Sequence, residues 1–306
     1  MEGHVPVLAS ETLEHLAPRD GGLYLDCTFG GGGHTELILN AADCTVVALD
    51  QDPYAAERAL ALKQRYGERF VFHRMNFETL GEVPEGPFDG ILFDFGVSSY
   101  QFDEGDRGFS FRREAPLDMR MNPELGTSAS DWLATASFRD LAYAIRNYGE
   151  EKNWRKIVDA IINARGNNEL VTTTQLAELI LSCTPARVRF TSKLHPATKA
   201  FQGIRIAIND ELGVIERGLP AAFEKLKPEG ILCAISFHSL EDRIAKVLFR
   251  RWAGRPDGVN DNRPQDMREI LAEMISRRPV TASDKEVVEN VRSRSAKLRV
   301  IKKVKQ

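Results

Sequence analysis

Apolar and polar positions follow two rhythms over the first hundred residues. Four short apolar runs, "GLYLDCTF" (22–29), "CTVVALDQD" (44–52), "RFVFHRMNF" (69–77) and "FDGILFDFG" (88–96), have the length and the β-branched or aromatic content of buried strands. Between them, "HTELILNAA" (34–42) and "PYAAERALALKQRYG" (53–67) carry helical spacing. The second has Pro53 at its start and Gly67 just past its end. Strands alternating with helices predict an α/β fold with a Rossmann-like, doubly wound parallel sheet buried on both faces.

After residue 100 the rhythm breaks. "SYQFDEGDRGFSFRREAPLDMRMNPELG" (99–126) is rich in Gly, Pro, Asp and Arg, and reads as loop. Helical segments follow: one capped by Ser128 or Ser130, one stopping at Gly149, one at Gly166, and one that starts on threonines and ends at Pro185. No strand signal interrupts 105–195. This predicts a helical domain over 105–195 inserted between two parts of the sheet domain, 1–104 and 196–306. A long helix is expected from Ala197, with Ile204, Ile208, Ile215 and Leu219 near one face. "GILCAISF" (230–237) reads as a fifth buried strand and "SLEDRIAKVLFRRW" (239–252) as the helix after it. Residues 253–280 read as a mobile loop with a short helix, and "AKLRVIKKV" (296–304) as a final, antiparallel edge strand.

Composition narrows the class. The 306 residues are 42% hydrophobic and 28% charged, as in a soluble globular protein. No run approaches the roughly 20 apolar residues that span a bilayer. "MEGHVPVLASETLEHL" lacks the basic start and apolar core of a signal peptide, so a cytoplasmic location without membrane attachment is expected. Cys27, Cys44, Cys183 and Cys233 form no CxxC pair, against a disulfide framework or structural zinc. No metal-ligand set is read and no catalytic metal is expected. The net charge of −3 hides a basic run, Arg292, Arg294, Lys297, Arg299, Lys302, Lys303 and Lys305. It is either a solvated tail or an edge facing phosphates.

The candidate chemistry centres on "DCTFGGGGHT" (26–35), four glycines between a strand and a helix start, where backbone can approach a ligand closely. No Gly-Lys-Ser/Thr follows, so it is not a phosphate-binding P-loop. A dinucleotide GxGxxG would need a glycine at Thr35. Asp50 lies twenty residues after Gly30, at the end of the second strand, and can hold a ribose diol. Phe77 and Asp94 end the third and fourth strands. Acids and aromatics at successive strand ends suit a nucleoside whose other end is cationic. S-adenosylmethionine (SAM) fits, with ribose at Asp50, adenine near Phe77, and the sulfonium and amino group near Asp26 and Asp94.

Motifs along the whole chain then resemble one family. They are "HVPVL" (4–8), "TFGGGGHT" (28–35), "LDQDP" (49–53), "DGILFDFGVSS" (89–99), "RGFSFRREAPLDMRM" (107–121), "YGEE" (148–151), "HPATKAFQGIRIAIN" (195–209), "ISFHSLEDR" (235–243) and "RSRSAKLR" (292–299). In this order they resemble the RsmH/MraW family of small-subunit ribosomal RNA cytosine-N4 methyltransferases; only the segment near 253–280 lies outside the likeness. The resemblance implies a class I SAM-dependent methyltransferase sheet with an inserted helical domain. It also implies cofactor contacts at Gly32, Gly33, His34, Asp50, Phe77, Asp94 and Gln101, and a target cytidine in the decoding region. Cys27, Tyr100 and Val291 depart from the family pattern, which has Gly, Pro and Pro there.

Methyl transfer from a sulfonium is an in-line displacement governed by alignment. The exocyclic amine of cytosine is a poor nucleophile, and acceptors beside it favour attack. DNA amino-methyltransferases place Asp/Asn-Pro-Pro-aromatic after strand 4; "DFGVSS" keeps the Asp and lacks the prolines, which disfavours DNA. Carbon-5 methylation needs a cysteine nucleophile, and strand 4 ends without one. Asp94 is the first catalytic candidate, followed by His238, His195 and Asn209, with cap or core roles as alternatives for the histidines. Arg112, Arg113 and Arg120 either meet RNA phosphates or pair with Glu114 and Asp118. Trp132 and Trp154 read as core. The helical domain is expected to help hold ribosomal RNA, within a ribosomal particle or free; the sequence leaves open whether the chain forms a homodimer. A DNA or protein methylase, an RNA-binding assembly factor with a vestigial pocket and a nicotinamide oxidoreductase are the competing readings.

Overall fold

The computed structural model describes every residue except 1–5, 104, 167–169, 192–193, 257, 259–260 and 305–306. His4 and Val5 of the first motif, Glu104 at the expected domain boundary and Lys305 of the basic run therefore lie outside the described residues. The chain divides into two compact units, 1–96 with 212–306, and 97–211.

The first unit is built on seven strands: β1 (Leu23–Asp26), β2 (Thr45–Asp50), β3 (Phe70–Arg74), β4 (Phe88–Asp94), β5 (Leu226–Ser236), β6 (Ala272–Met274) and β7 (Lys297–Lys303). Their order is β3-β2-β1-β4-β5-β7-β6. The first five are parallel, and β7 runs antiparallel to both β5 and β6. The period-2 geometry of strands sends successive side chains to opposite faces, and both faces are buried. Leu25, Val47, Leu49, Ile91, Phe93, Leu232 and Ala234 enter one apolar core, while Tyr24, Val46, Ala48, Leu92, Cys233 and Ile235 enter the other. This is why the strands read as continuous apolar runs.

Three expectations are corrected here. β7 is not the edge, because β6 pairs outside it through Glu273↔Lys302 and its neighbours. β6 arises within 253–280, where three residues are too few to leave a sequence signal. The helix expected from Ala197 is two helices, Ala197–Asn209 and Glu211–Lys225, broken at Asp210, whose φ of +47° is left-handed and ends an α-helix.

In the second unit, helices Ala129–Thr135, Phe138–Tyr143, Trp154–Asn163, Thr173–Cys183 and Ala197–Asn209 enclose a core of Leu133, Leu141, Ile145, Ile157, Ile161, Leu176, Phe201 and Ile204. Ser128, not Ser130, caps the first by accepting from the Asp131 N–H, and Thr172 forms a capping box with Gln175. Helix Ala197–Asn209 belongs to this unit because its apolar face completes that core. Its approach is backbone against backbone: a Cβ on Gly203 would lie 2.3 Å from the Ala144 carbonyl, and one on Gly149 would lie 2.4 Å from that of Lys199.

Candidate cofactor and acceptor site

The glycine run is held by polar brackets at both ends. Asp26, buried at the end of β1, accepts from the Thr35 hydroxyl at 2.7 Å and from the Thr28 N–H at 3.0 Å. Both carboxylate oxygens thus serve the loop, and Asp26 closes the turn instead of facing outward to a ligand as its strand-end position suggested. Gly32 sits at φ +80°, and a Cβ there would meet the Phe29 ring at 2.9 Å; a Cβ on Gly33 would meet Pro6 at 2.7 Å. The run is therefore packed, not slack. Its backbone is bare because Phe29 and Pro6 lie directly against it.

Asp50 ends β2. It accepts from the Gly30 N–H at 2.7 Å and the Asp52 N–H at 2.8 Å, and burial pushes its pKa up to about 6. Arg58 donates to the Gly30 carbonyl at 2.9 Å, so the loop is fixed to the β2 end from two directions. His34, in the first turn of helix Gly33–Ala41, is buried, and burial pulls its pKa down to about 4. It is neutral at pH 7. Its bond to the Val7 backbone uses Nδ1, because Nε2 is buried without a partner. Nε2 is therefore the lone-pair nitrogen, and it faces Asp94 Oδ2 across 3.7 Å.

Asp94 ends β4, with its N–H donating to the Thr28 hydroxyl at 2.7 Å. Its Oδ1 is also buried and unpartnered. Burial first, then the nearby charges of Asp26 and Glu241, hold its carboxyl well above the usual range. Once Asp94 is ionised, the two groups face each other as acceptors with unused lone pairs, an arrangement that is costly unless a donor or a cation comes between them. The ammonium or sulfonium end of SAM fits that requirement.

Phe77 follows β3 and opens a short turn, Phe77–Glu82. Its ring stands edge-on to Phe93 at 5.2 Å. Gly218 is what admits it, since a Cβ there would lie 2.5 Å from the Phe77 ring. His238, after β5, is the N-cap of helix Ser239–Trp252 and forms a capping box with Glu241. Glu241, fully buried, also accepts from the Phe237 N–H at 2.8 Å.

Among the expected site residues, Gly32, Gly33, His34, Asp50, Phe77, Asp94 and His238 all lie in the first unit, at the carboxyl ends of β1 to β5. Gln101, Asn209 and His195 lie in the second. There, Gln101 is buried and accepts from the Ser98 N–H at 2.9 Å. Asn209 grips the "LDMRM" loop, accepting from the Met121 N–H at 2.7 Å and donating to the Met119 carbonyl at 2.8 Å. His195 is exposed and its ring meets that of Phe111 at 4.6 Å, tilted by 32°. Thr35, Val7 and Gly218 were missed. Thr35 stood in the motif as the position where a dinucleotide fingerprint would have glycine, but only the fold shows its hydroxyl meeting Asp26; Val7 and Gly218 have no local signal.

Cys27 and Cys233 are buried on or beside strands, and burial raises both thiols, which keeps them protonated. Arg120 pairs with Asp118 at 2.6 Å, whereas Arg112 and Arg113 are exposed without an ion pair among the described residues. Part of the basic run is engaged by the fold: Arg299 pairs bidentately with Asp242, Lys302 pairs with Glu229 at 2.6 Å, and Lys303 donates to the carbonyls of Phe223 and Leu226, while Arg294 is exposed. Among the described residues no helix is long and apolar enough to cross a membrane.

Residues 1–304 match the MraW methylase family. The chain is 48% identical over 303 residues to ribosomal RNA small subunit methyltransferase H of Gluconobacter oxydans, covering 98% of this chain and 93% of that protein. It is 46% identical to the protein of the same name from Symbiobacterium thermophilum (98% and 96% covered) and 43% to that of Rickettsia felis (99% and 99%). With acids, an aromatic ring and a glycine loop at the strand ends and this likeness along its length, the chain belongs to the MraW methylase family of SAM-dependent methyltransferases.

Proposed function

We propose that this protein methylates the exocyclic N4 amine of one cytidine in the decoding region of small-subunit ribosomal RNA. The observation that carries the reading is Asp94 at the end of β4: its Oδ1 is buried without a partner, and its Oδ2 lies 3.7 Å from His34 Nε2, which also lacks a partner. The relatives' shared name supplies the ribosomal RNA. The amine, as opposed to carbon 5, is favoured because the cysteines near the strand ends are buried and held as thiols, so no thiolate is poised to attack a ring.

SAM, when bound, supplies an electrophilic methyl group on a cationic sulfur. The chain's own residues do the rest. Asp50 takes the ribose diol, the Phe77 ring bounds the adenine, and the Gly32–Gly33 backbone completes the grip of the first unit. His34 Nε2 and Asp94 receive the amino-acid end and its positive charge. A cation beside Asp94 stabilises its ionised form, and the ionised Asp94 then accepts a hydrogen bond from the cytosine amine and takes up the proton that amine loses. His238 at the β5 end is the next acceptor-side candidate. Asn209 and His195 act through the loops they hold. We assign the reaction to the cytoplasm and to a small-subunit particle, with DNA disfavoured by the absent Pro-Pro; a homodimer is tested by sedimentation.

The test uses small subunits from cells lacking this enzyme, incubated with methyl-labelled SAM and the purified protein, followed by digestion and mass separation of nucleosides. Label in N4-methylcytidine is expected. Label in another nucleoside would remove the N4 assignment.

A further inference from the structure

Aromatic rings and guanidinium groups stand together on helix Phe138–Tyr143, the π-helical turn Ala144–Tyr148 that continues it, and helix Trp154–Asn163 of the second unit. Phe138 and Tyr143 are 42% and 53% exposed. Phe138 meets the Trp154 ring edge-on at 6.4 Å, and Tyr143 meets Tyr148 edge-on at 5.1 Å. Trp154 packs against the helical core on one side, while the guanidiniums of Arg146 and Arg155 lie 5.5 and 5.8 Å from its ring centre. Arg139, one turn before Tyr143, is exposed as well.

The charges here are not neutralised internally. None of Arg139, Arg146 and Arg155 pairs with a carboxylate among the described residues, unlike the arginines of the C-terminal strand. Two nearby acids are engaged locally: Asp140 accepts from the Ser137 hydroxyl at 2.7 Å and Glu151 from the Asn153 N–H at 2.7 Å. An arginine laid along an indole is held in place yet keeps its outward N–H groups for a partner. Exposed rings offer π-faces to unstacked bases, and unpaired cations beside them suit a polyanion. A duplex would hide its bases from Phe138 and Tyr143. Free cations next to those rings favour nucleic acid over an apolar protein surface.

We propose that this face docks an unpaired stretch of the ribosomal RNA substrate, with Phe138 and Tyr143 stacking bases and Arg139, Arg146 and Arg155 meeting phosphates. This rests on the ribosomal RNA reading above. The test compares full-length wild type with Phe138→Ala/Tyr143→Ala and with Arg146→Gln/Arg155→Gln. For each, KM and kcat on unmodified small subunits, SAM affinity, melting midpoint and affinity for an unstructured oligoribonucleotide are measured over a salt series. The aromatic pair is expected to raise KM about tenfold, the scale of a lost stacked base, with kcat, SAM affinity and melting unchanged. The arginine pair is expected to weaken binding and flatten the salt slope by about one to two. Should the alanine variant melt early, Phe138→Leu/Tyr143→Leu removes the rings, keeps bulk and carries the same expectation. Unchanged KM and oligonucleotide affinity in both pairs would overturn the proposal. So would a changed oligomeric state with unchanged RNA affinity, which would make the face a contact between copies. Wild type that binds the oligonucleotide through this face but labels no nucleoside would sink the proposed reaction and leave the surface standing.

Discussion

Asp94 and Asp50 close β4 and β2, the strands on either side of β1, yet their settings differ. Asp94 has an oxygen with nothing to bond, whereas both oxygens of Asp50 already hold backbone N–H groups. We predict that Asp94→Asn lowers kcat by about 10²–10⁴, the range for loss of a positioned proton acceptor. Single-turnover rates, with SAM affinity measured separately, decide it; full turnover would remove Asp94 from the mechanism. Asp50 gives a prediction in pH. With a pKa raised to about 6, it is ionised above pH 6, and a ribose diol binds the ionised form better. SAM affinity should therefore be full above pH 6 and fall as pH drops through it, by calorimetry; Asp50→Asn should bind more weakly and lose that dependence. Stability of the free protein carries the opposite sign. A buried acid with a raised pKa favours the fold in its neutral form, so its contribution grows as pH falls from about 6 towards 4. His34, with a pKa lowered to about 4, loses stability as pH falls from 6.5 through 4. A melting midpoint that tracked SAM affinity point for point would contradict this assignment. Asp50 was legible from its distance after the glycines. The engagement of Asp26 was not, because its partner Thr35 is nine residues away and meets it only when the loop turns back.

Glycine does different work in different elements. At Gly32 and Gly33 it lets Phe29 and Pro6 press on the loop, and at Gly203 and Gly149 it lets a helix meet a neighbouring turn through backbone. Gly203→Ala places a Cβ 2.3 Å from the Ala144 carbonyl, an atom that cannot swing away. We predict a loss of at least about 2 kcal/mol from overpacking, read as a lower denaturation midpoint by circular dichroism; an unchanged midpoint would mean the helices separate freely. The sequence pattern located β1 to β5 and β7 because each contains an apolar run several residues long. It missed β6, which is three residues long, and the break at Asp210, which is a single left-handed residue inside a helical pattern. Local periodicity has no means of registering either.

Across the whole molecule, net charge is a poor guide to where RNA could bind. The C-terminal basic run is in part engaged by the fold. Burial pushes the Asp242 pKa up, but hydrogen bonds and charge from Arg299 and Lys297 bring it below the usual carboxylate range. Arg112 and Arg113, by contrast, have no such partner among the described residues. We predict that Arg112→Gln/Arg113→Gln reduces the salt slope of ribosomal RNA binding by about one to two, while Lys297→Gln/Lys302→Gln leaves it unchanged; filter binding over a salt series separates them, and the reverse pattern would move the phosphate contact to the C-terminal strand. The order of apolar runs, the acids at strand ends and the motifs from "HVPVL" to "RSRSAKLR" determined by themselves the sheet, its cofactor class and the family. These are properties of short segments, written in composition and spacing. Only the tertiary structure decided which polar groups are already satisfied and which are not: Asp26, Arg120 and Arg299 spent on the fold, His34 Nε2 and Asp94 Oδ1 left open. Hydrogen bonding and burial depend on residues far apart in the chain, and no local pattern carries that information.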